Sequence, residues 1–513
     1  MNGHHVPDSA SVQDPRNLAD TVRRAARRDA RQPALIWQDQ SVSWGELDNT
    51  VDAVARGLRA LELPESGGHP ARVALALPNV PQFAEAYFGT LRAGLVAVPV
   101  NPGYTARELA HVLADSGAAV LIGTPEVIAS LGGAAPEHAF ARLDGLVRAG
   151  EPVLAATGGE DLAVLLYTSG TEGNPKGAML SHRALLANHA QLAEIQPPPV
   201  RPDDVVLLVL PLFHAFGLNS GLGSVAYHGA RGVLVERFDP VEVLRLIAAH
   251  QVTIVVGVPP MFVAWSLLPD LAEAFGSVRT AISGAAPLDP AAARRFREAA
   301  GEVLAEGYGL TETAPVLTST LLSPTRKRSS IGRPIPGVSL KLVAANGEEI
   351  DLAGDDFDDD APGSPGTDPG EIVVTGANLF SGYWPDGRDG PDAQGWWATG
   401  DVAYADADGD LFLVDRLREL ILVSGFNVYP YEVEQILQAH PAVAEAAVVG
   451  DPHPYTGQTV KAFVVTRTPV TVEELIVHCE RNLARFKCPT AIEFRPSLPH
   501  SATGKVRKAA LRD

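Results

Sequence analysis

The sequence predicts an α/β protein: a large N-terminal domain of parallel-type sheets covered by helices, then a small α+β domain. Three observations carry this. First, apolar runs alternate with helical spacing. "ARVALALPN" (71–79), "VPQFAEAYFGTLRAG" (80–94) and "LVAVPVNP" (95–102) read as strand, helix, strand. Continuous apolar strands of this kind belong to parallel sheets buried on both faces. The rhythm recurs at "DDVVLLVLPLF" (203–213), "VEVLRLIAAHQVTIVVGVPP" (241–260) and "SVRTAISGAAP" (277–287), with no repeat of fixed period. Second, 513 residues exceed one ordinary core, so at least two domains are expected. Third, the texture changes near residue 415. "DLFLVDRLRELILVSGFNVYPYEVEQIL" leads into "AVAEAAVVGDP", "VKAFVVT" and "VEELIVHCERNLARF", a compact α+β pattern. The expected domains are therefore 1–415 and 416–513.

Composition narrows the function classes. The chain is 46% hydrophobic and 20% charged, which fits a soluble globular protein. A net charge of −20 argues against nucleic acid and against an anionic membrane surface as partner, but not against a nucleotide ligand, which needs only local donors. Cys479 and Cys488 read as two reduced thiols, and a cytoplasmic location is expected. The polar start "MNGHHVPDSASVQDPRN" lacks the apolar core of a signal peptide. The most apolar region, 205–235, is interrupted by Pro211, His214, His228 and Arg231, so no integral membrane association is expected. "AGDDFDDDAPGSPGTDPG" (353–370) has almost nothing to bury and reads as a solvated loop insertion; its spacing is not that of an EF-hand.

The most unusual stretch is "LLYTSGTEGNPKGAMLSH" (165–182). Thr168, Ser169 and Thr171 offer hydroxyls, Gly170, Gly173 and Gly177 allow close backbone approach, and Lys176 is a point charge suited to phosphate. A Walker A loop is unlike it. Pro175 stands where the second glycine belongs, and Gly177 follows the lysine where a magnesium-binding hydroxyl is needed. Phosphate contact is the reading, without a named fold.

Four further segments need explaining together. "EGYGLTETAP" (306–315) puts Tyr308, Gly309, Thr311 and Glu312 in one turn. Tyr308 suits a purine face and Glu312 a hard cation; taken alone, the segment is equally a strand end with a turn. "SGAAPLDP" (283–290) is small and flat at a strand end. "WWATGDVAYADADGDLFLVDR" (396–416) carries Asp401 and, fifteen positions on, Arg416. A lone Asp in a loop usually caps a turn; ribose hydroxyls are the sharper option. "LPHSATGKVRKAALRD" (498–513) places Lys505 in a Thr-Gly turn, and composition alone makes it a solvated lysine.

Taken in order, "YTSGTEGNPKG", "YGLTET", "TGD", "DRLRELILVSGFNVYPYEVE" and the terminal "TGK" resemble the signatures of the adenylate-forming superfamily: acyl- and aryl-CoA ligases, luciferases and adenylation domains. One motif is weak; five in order are specific. The resemblance runs from about residue 20 to the end, and "PLFHAFGLNS", "SGFNVYP" and "LARFKCP" are most similar to fatty-acyl and 4-coumarate-type CoA ligases. It implies a β-barrel-like subdomain within the large domain and a mobile small domain carrying a catalytic lysine. It also implies ATP, Mg²⁺ and coenzyme A as cofactors. A carboxylate attacks the α-phosphate of ATP, and CoA thiolate then displaces AMP. Neither step needs an enzyme nucleophile, only positioning and charge stabilisation.

Residue by residue, the resemblance implies that Thr168, Ser169, Gly170, Thr171 and Lys176 hold the β- and γ-phosphates. Gly284, Ala285, Ala286, Tyr308 and Gly309 would enclose adenine, and Asp401 and Arg416 would bind ribose. Thr311 would touch the α-phosphate, Glu312 would carry Mg²⁺, and Lys505 would reach the carboxylate. The acyl pocket would use His214, Phe216, Asn219, Ser220, Gly221, Gly223, Val258, Gly309 and Pro315, with Gly221 and Gly223 leaving room for a long tail. His214 is read as a catalytic-site gate, with a structural histidine as the alternative. Arg418 would be the hinge, with Gly425 and Phe426 at the CoA tunnel. Glu172, where relatives hold threonine, is expected to point away from the phosphates.

A medium- or long-chain fatty acid is the first expected substrate and an aryl-propenoic acid the second; no acidic residue is evident to pair with a free amino group. A carrier protein or nitrogen nucleophile as acceptor, a homodimer, and a non-catalytic nucleotide-binding relic stay open. Lys505, Glu312, Asp401 and Arg416 weigh against the relic, and a multi-module synthetase is not expected, since the sequence as given shows no carrier domain after Asp513.

Overall fold

The computed structural model describes residues 15–168, 175–352, 366–416, 419, 421–423, 426–453, 456–500 and 506–511; for 415, 416, 422, 426, 427 and 509 it describes the backbone alone. Ser169, Gly170, Thr171, Glu172, Arg418, Gly425, Lys505 and most of the acidic insertion lie outside the described residues, as do the side chains of Arg416 and Phe426.

Three sheets organise these residues. A six-stranded sheet runs in the order His138–Phe140, Ala118–Gly123, Arg72–Ala76, Val96–Pro99, Leu162–Thr168, Lys176–Ser181. Its first five strands are parallel, and only the last pair is antiparallel. The expected strand–helix–strand unit is Arg72–Ala76, Pro81–Ala93, Val96–Pro99; Pro81 opens the helix, where a missing N–H costs nothing.

A fourteen-stranded path holds the second sheet. Its parallel part joins Pro33–Trp37, Arg231–Leu234, Val205–Leu208, Ile254–Gly257, Thr280–Ser283 and Leu304–Gly309. From Leu304–Gly309 onward the pairing turns antiparallel, through Val316–Ser319, Ser330–Pro334, Leu411–Arg416, Trp397–Ala405, Gly370–Gly376 and Val338–Val343. The strand Leu304–Gly309 is thus where the two pairing styles meet, and it ends in the "YGLTET" motif.

The third sheet is small: Phe426–Val428, Ile421–Val423, Gly457–Thr466 and Val443–His453, with Ala491–Phe494 parallel to Gly457–Thr466. Helices Pro430–Gln438 and Val472–Asn482 accompany it, and a capping box of Thr471 and Glu474 starts the latter. Cys479 and Cys488 are free thiols buried in its core. No helix among the described residues is long and apolar enough to cross a membrane.

The N-terminal helices are tied by buried charge. Asp52 Oδ1 accepts from Arg23 Nη2 at 2.6 Å, Arg92 Nη1 at 3.1 Å and the Val153 amide at 3.1 Å. Asp48 Oδ1 lies 2.6 Å from Arg92 Nη1, and Arg92 is 1% exposed. Burying two guanidiniums is tolerable here because two carboxylates and backbone carbonyls, Val153 O and Ala19 O among them, accept from them.

Four histidines are held neutral by burial, with pKa values pushed down from 6.5 to about 4 for His182, His214 and His228 and to about 3 for His189. The Leu18 amide donates to His182 Nδ1 at 3.1 Å, a bond that only a neutral ring accepts. Their folded pKa values lie below the unfolded 6.5, so the unfolded chain binds more protons and stability is lost as pH falls from 6.5 toward 4. Glu85 and Glu306, raised by burial, work in the opposite sense but are outnumbered. The urea midpoint is therefore expected to be lower at pH 5 than at pH 7; an equal or higher midpoint contradicts this balance.

Candidate active site

The strands Leu162–Thr168 and Lys176–Ser181 pair so that Thr168 faces Lys176, and the phosphate-loop residues connect them. Thr168 Oγ1 lies 3.4 Å from Lys176 O. Lys176 Nζ sits 3.4 Å from Asp389 Oδ2 and 5.2 Å from the centre of the Tyr383 ring. Tyr383 in turn donates its hydroxyl to Glu312 Oε1 at 2.6 Å. One tyrosine therefore spans the loop lysine and the expected metal carboxylate.

Sequence reasoning missed Tyr383 and Asp389. They belong to "LFSGYWPDGRD" (379–389), which docks on the strand Lys176–Ser181: the Ser381 amide donates to Met179 O at 2.9 Å, Met179 N to Gly382 O at 3.1 Å, and Trp384 N to Gly177 O at 2.8 Å. Its aromatic, proline and glycine texture signals a turn, not a partner some 200 residues away.

Thr311 and Glu312 lie in a single 3₁₀ turn after Leu304–Gly309. Three buried amides hold this turn. Asn378 Nδ2 donates to Thr313 O at 2.7 Å, Asn219 Nδ2 to Ala314 O at 2.7 Å, and Asn188 Nδ2 to Val316 O at 2.9 Å. Gly309 is required for packing: a Cβ there would come within 1.7 Å of Pro315 O. Tyr308 donates to Asp401 Oδ2 at 2.7 Å, and Asp401 faces Arg416 across the strand pair Trp397–Ala405 and Leu411–Arg416. The two residues expected at ribose are thus cross-strand neighbours, with Tyr308 beside them.

Next to Tyr308 opens an apolar cleft of about 860 Å³, part of it open to solvent. Phe216, Ser220, Gly284, Ala285, Tyr308, Gly309 and Pro315 all reach it. Ala285 adopts φ 72°, a left-handed conformation that a side chain normally avoids and that strong local constraint must hold. Phe216–Gly223 winds as a π-helix and runs on into Ser224–His228; Phe216, Ser220 and Ser224, four apart, share the face that lines the cleft.

Other expected pocket residues are placed elsewhere. Asn219 does not line the cleft, because its amide is used on Leu185 O, Ala314 O and His189. Gly221 lies against Leu208 in a separate small pocket, and a Cβ on Gly223 would meet Asn219 Oδ1 at 2.6 Å and His189 Nε2 at 2.8 Å. Gly221 lets this helix approach the strand Val205–Leu208 and Gly223 the helix His182–Ala193, and neither lines the cleft. Val256, two residues before Val258, is the residue of that strand that lines the cleft. His214 is off the cleft wall, its ring 4.9 Å from Phe213, with Nε2 buried and unpartnered. Ala286 is also off the cleft, although Gly284 and Ala285 line it.

A family model for AMP-binding enzymes matches residues 22–384, and the model for their C-terminal domain matches 432–505. The chain belongs to the AMP-binding enzyme family. Among relatives of this family, a long-chain-fatty-acid–CoA ligase of Escherichia coli O6:H1 is 34% identical, over 99% of this chain and 96% of its own. A feruloyl-CoA synthase of an Amycolatopsis species is 36% identical, over 95% and 97%. The crystal structure of ATP-bound MatB from Rhodopseudomonas palustris superposes with a TM-score of 0.86 at 30% identity, covering 97% of this chain and 98% of that one. The chain falls within the class of ATP-dependent acid–CoA ligases that such AMP-binding enzymes represent.

The donor set fits magnesium as this ion is usually held. Among the described residues no three His, Cys, Asp or Glu side chains converge on a metal cage. Glu312 is 7% exposed and oriented by Tyr383, whose ring also lies 5.2 Å from Lys176 Nζ. One carboxylate plus substrate phosphate oxygens is the ordinary Mg²⁺ arrangement.

Proposed function

We propose that this AMP-binding enzyme joins a carboxylic acid with an uncharged, mainly apolar tail to coenzyme A. A medium- or long-chain fatty acid and an aryl-propenoic acid are the two candidates. The carrying observation is the cleft itself. It opens beside Tyr308, and no Asp, Glu, Lys or Arg lines it among the described residues. A tail bearing an ammonium or a second carboxylate would be desolvated there without a counter-charge.

The acid's carboxylate oxygen attacks the α-phosphorus of ATP, and pyrophosphate leaves to give the acyl adenylate. The thiolate of CoA then attacks the acyl carbon, and AMP leaves. Tyr308 and Asp401 support the nucleoside end, Lys176 the pyrophosphate end, and Lys505 the carboxylate. Glu312 would hold Mg²⁺, which offsets charge on the phosphates. The arrangement positions and neutralises; it offers no covalent nucleophile.

Lys505→Ala is expected to lower acid-dependent pyrophosphate release by about 100-fold or more. The assay mixes ATP, Mg²⁺ and a panel of fatty and hydroxycinnamic acids, with and without CoA. Normal adenylation by the variant contradicts the mechanism. Adenylate accumulating without thioester, whatever the acid, points to another acceptor.

A further inference from the structure

The lysine of the phosphate loop is already engaged by a carboxylate. Lys176 Nζ lies 3.4 Å from Asp389 Oδ2 and 5.2 Å from the centre of the Tyr383 ring. Both charged side chains are partly solvated, Lys176 at 39% and Asp389 at 62% exposure, so an incoming anion can exchange into the pair at little cost.

Asp389 is held in place through its backbone. Its φ of 55° lies in the left-handed region, and Trp397 Nε1 donates to its carbonyl at 3.0 Å. The turn before it is closed by the Gly387 amide on Tyr383 O at 2.8 Å and the Tyr383 amide on Arg388 O at 2.9 Å. That turn docks on the strand Lys176–Ser181 through the Trp384 amide and Gly177 O. Arg388 pairs with Asp386 at 2.9 Å, and among the described residues Lys176 is the ion-pair partner of Asp389. A docked turn, not a wandering side chain, carries this carboxylate to the lysine.

A carboxylate so placed acts on whatever anion Lys176 holds. It shares the charge of the lysine, and its own charge repels phosphate oxygens gathered there. Both effects loosen the grip on polyphosphate. Looseness has a use, because pyrophosphate must leave after each adenylation, and product release can limit turnover.

We propose that Asp389 is a positioning residue that holds Lys176 in reserve and moderates its grip on polyphosphate, so that pyrophosphate departs readily. The proposal rests on the reading of Lys176 as the lysine of the pyrophosphate end. Asp389 touches no reacting atom; it acts through the lysine.

Asp389→Asn removes the charge and keeps the turn, since asparagine tolerates the left-handed conformation. The variant is expected to bind Mg-ATP about 3-fold or more tightly than the parent, by calorimetric titration without acid. Inhibition by pyrophosphate is expected to strengthen in step, with KM for the acid unchanged. A merely structural role would weaken ATP binding instead. Lys176→Ala is expected to weaken it by about 10-fold or more. In that background the Asp389 substitution is expected to change affinity by less than about 2-fold, because its route is gone. Unchanged or weaker ATP binding by Asp389→Asn overturns the proposal, as does its full effect in the Lys176→Ala background. If Lys176→Ala alone binds ATP like the parent, the reading of that lysine fails and the proposal with it, an outcome distinct from the other two.

Discussion

Glu312→Gln will cut ATP-dependent pyrophosphate release by about 100- to 1,000-fold, the cost of deleting one preorganised charge contact at a developing anion. The substitution is isosteric. The Tyr383 hydroxyl, now 2.6 Å from Glu312 Oε1, retains a carbonyl oxygen to donate to, and the turn held by Asn188, Asn219 and Asn378 is untouched. What disappears is one negative charge, 7% exposed, at the place where a divalent cation would meet the phosphates. The measurement is pyrophosphate release across a Mg²⁺ titration. A variant within threefold of the parent, or one with an unchanged Mg²⁺ dependence, shows that Glu312 is not the metal carboxylate.

The second large effect is on stability. Asp52→Ala is expected to cost about 3–5 kcal/mol, the range for removing one partner of a buried ion pair. Asp52 serves Arg23, Arg92 and the Val153 amide together. Its loss leaves Asp48 alone to balance two guanidiniums, one of them 1% exposed, and strands a backbone N–H. Urea denaturation of parent and variant reads the difference. A cost below about 1 kcal/mol contradicts the coupling drawn here.

Much of this architecture was legible because the relevant signals are local. The strand Arg72–Ala76 and the helix Pro81–Ala93 are contiguous patterns, and a buried parallel strand cannot hide its apolar run. The phosphate loop stood out for a similar reason: hydroxyls, glycines and a lysine together serve no packing role. The missing parts are those where a polar residue works at long range. Asn188 sits mid-helix with no local motif around it, and it clasps Val316, 128 positions away. Asn378 and Tyr383 follow a strand in a turn-rich stretch, and nothing near them in the chain names Thr313 or Glu312 as partners. Gly221 and Gly223 misled for the converse reason. An absent side chain signals space, but what fills that space is set by tertiary packing, here Leu208, Asn219 and His189.

The bonding of Asn219 bears on how substrate range can evolve. This one side chain joins the helix backbone at Leu185, the ring of His189 and the turn at Ala314. Altering it would disturb the turn after Leu304–Gly309 together with a histidine that lines the cleft. Ser220 and Leu321 face the cleft and make no hydrogen bond to the turn at 313–316. If the cleft takes the acid as proposed above, mutational walks toward new acids have separable coordinates: the cleft face can drift while the asparagine behind it keeps the turn in place.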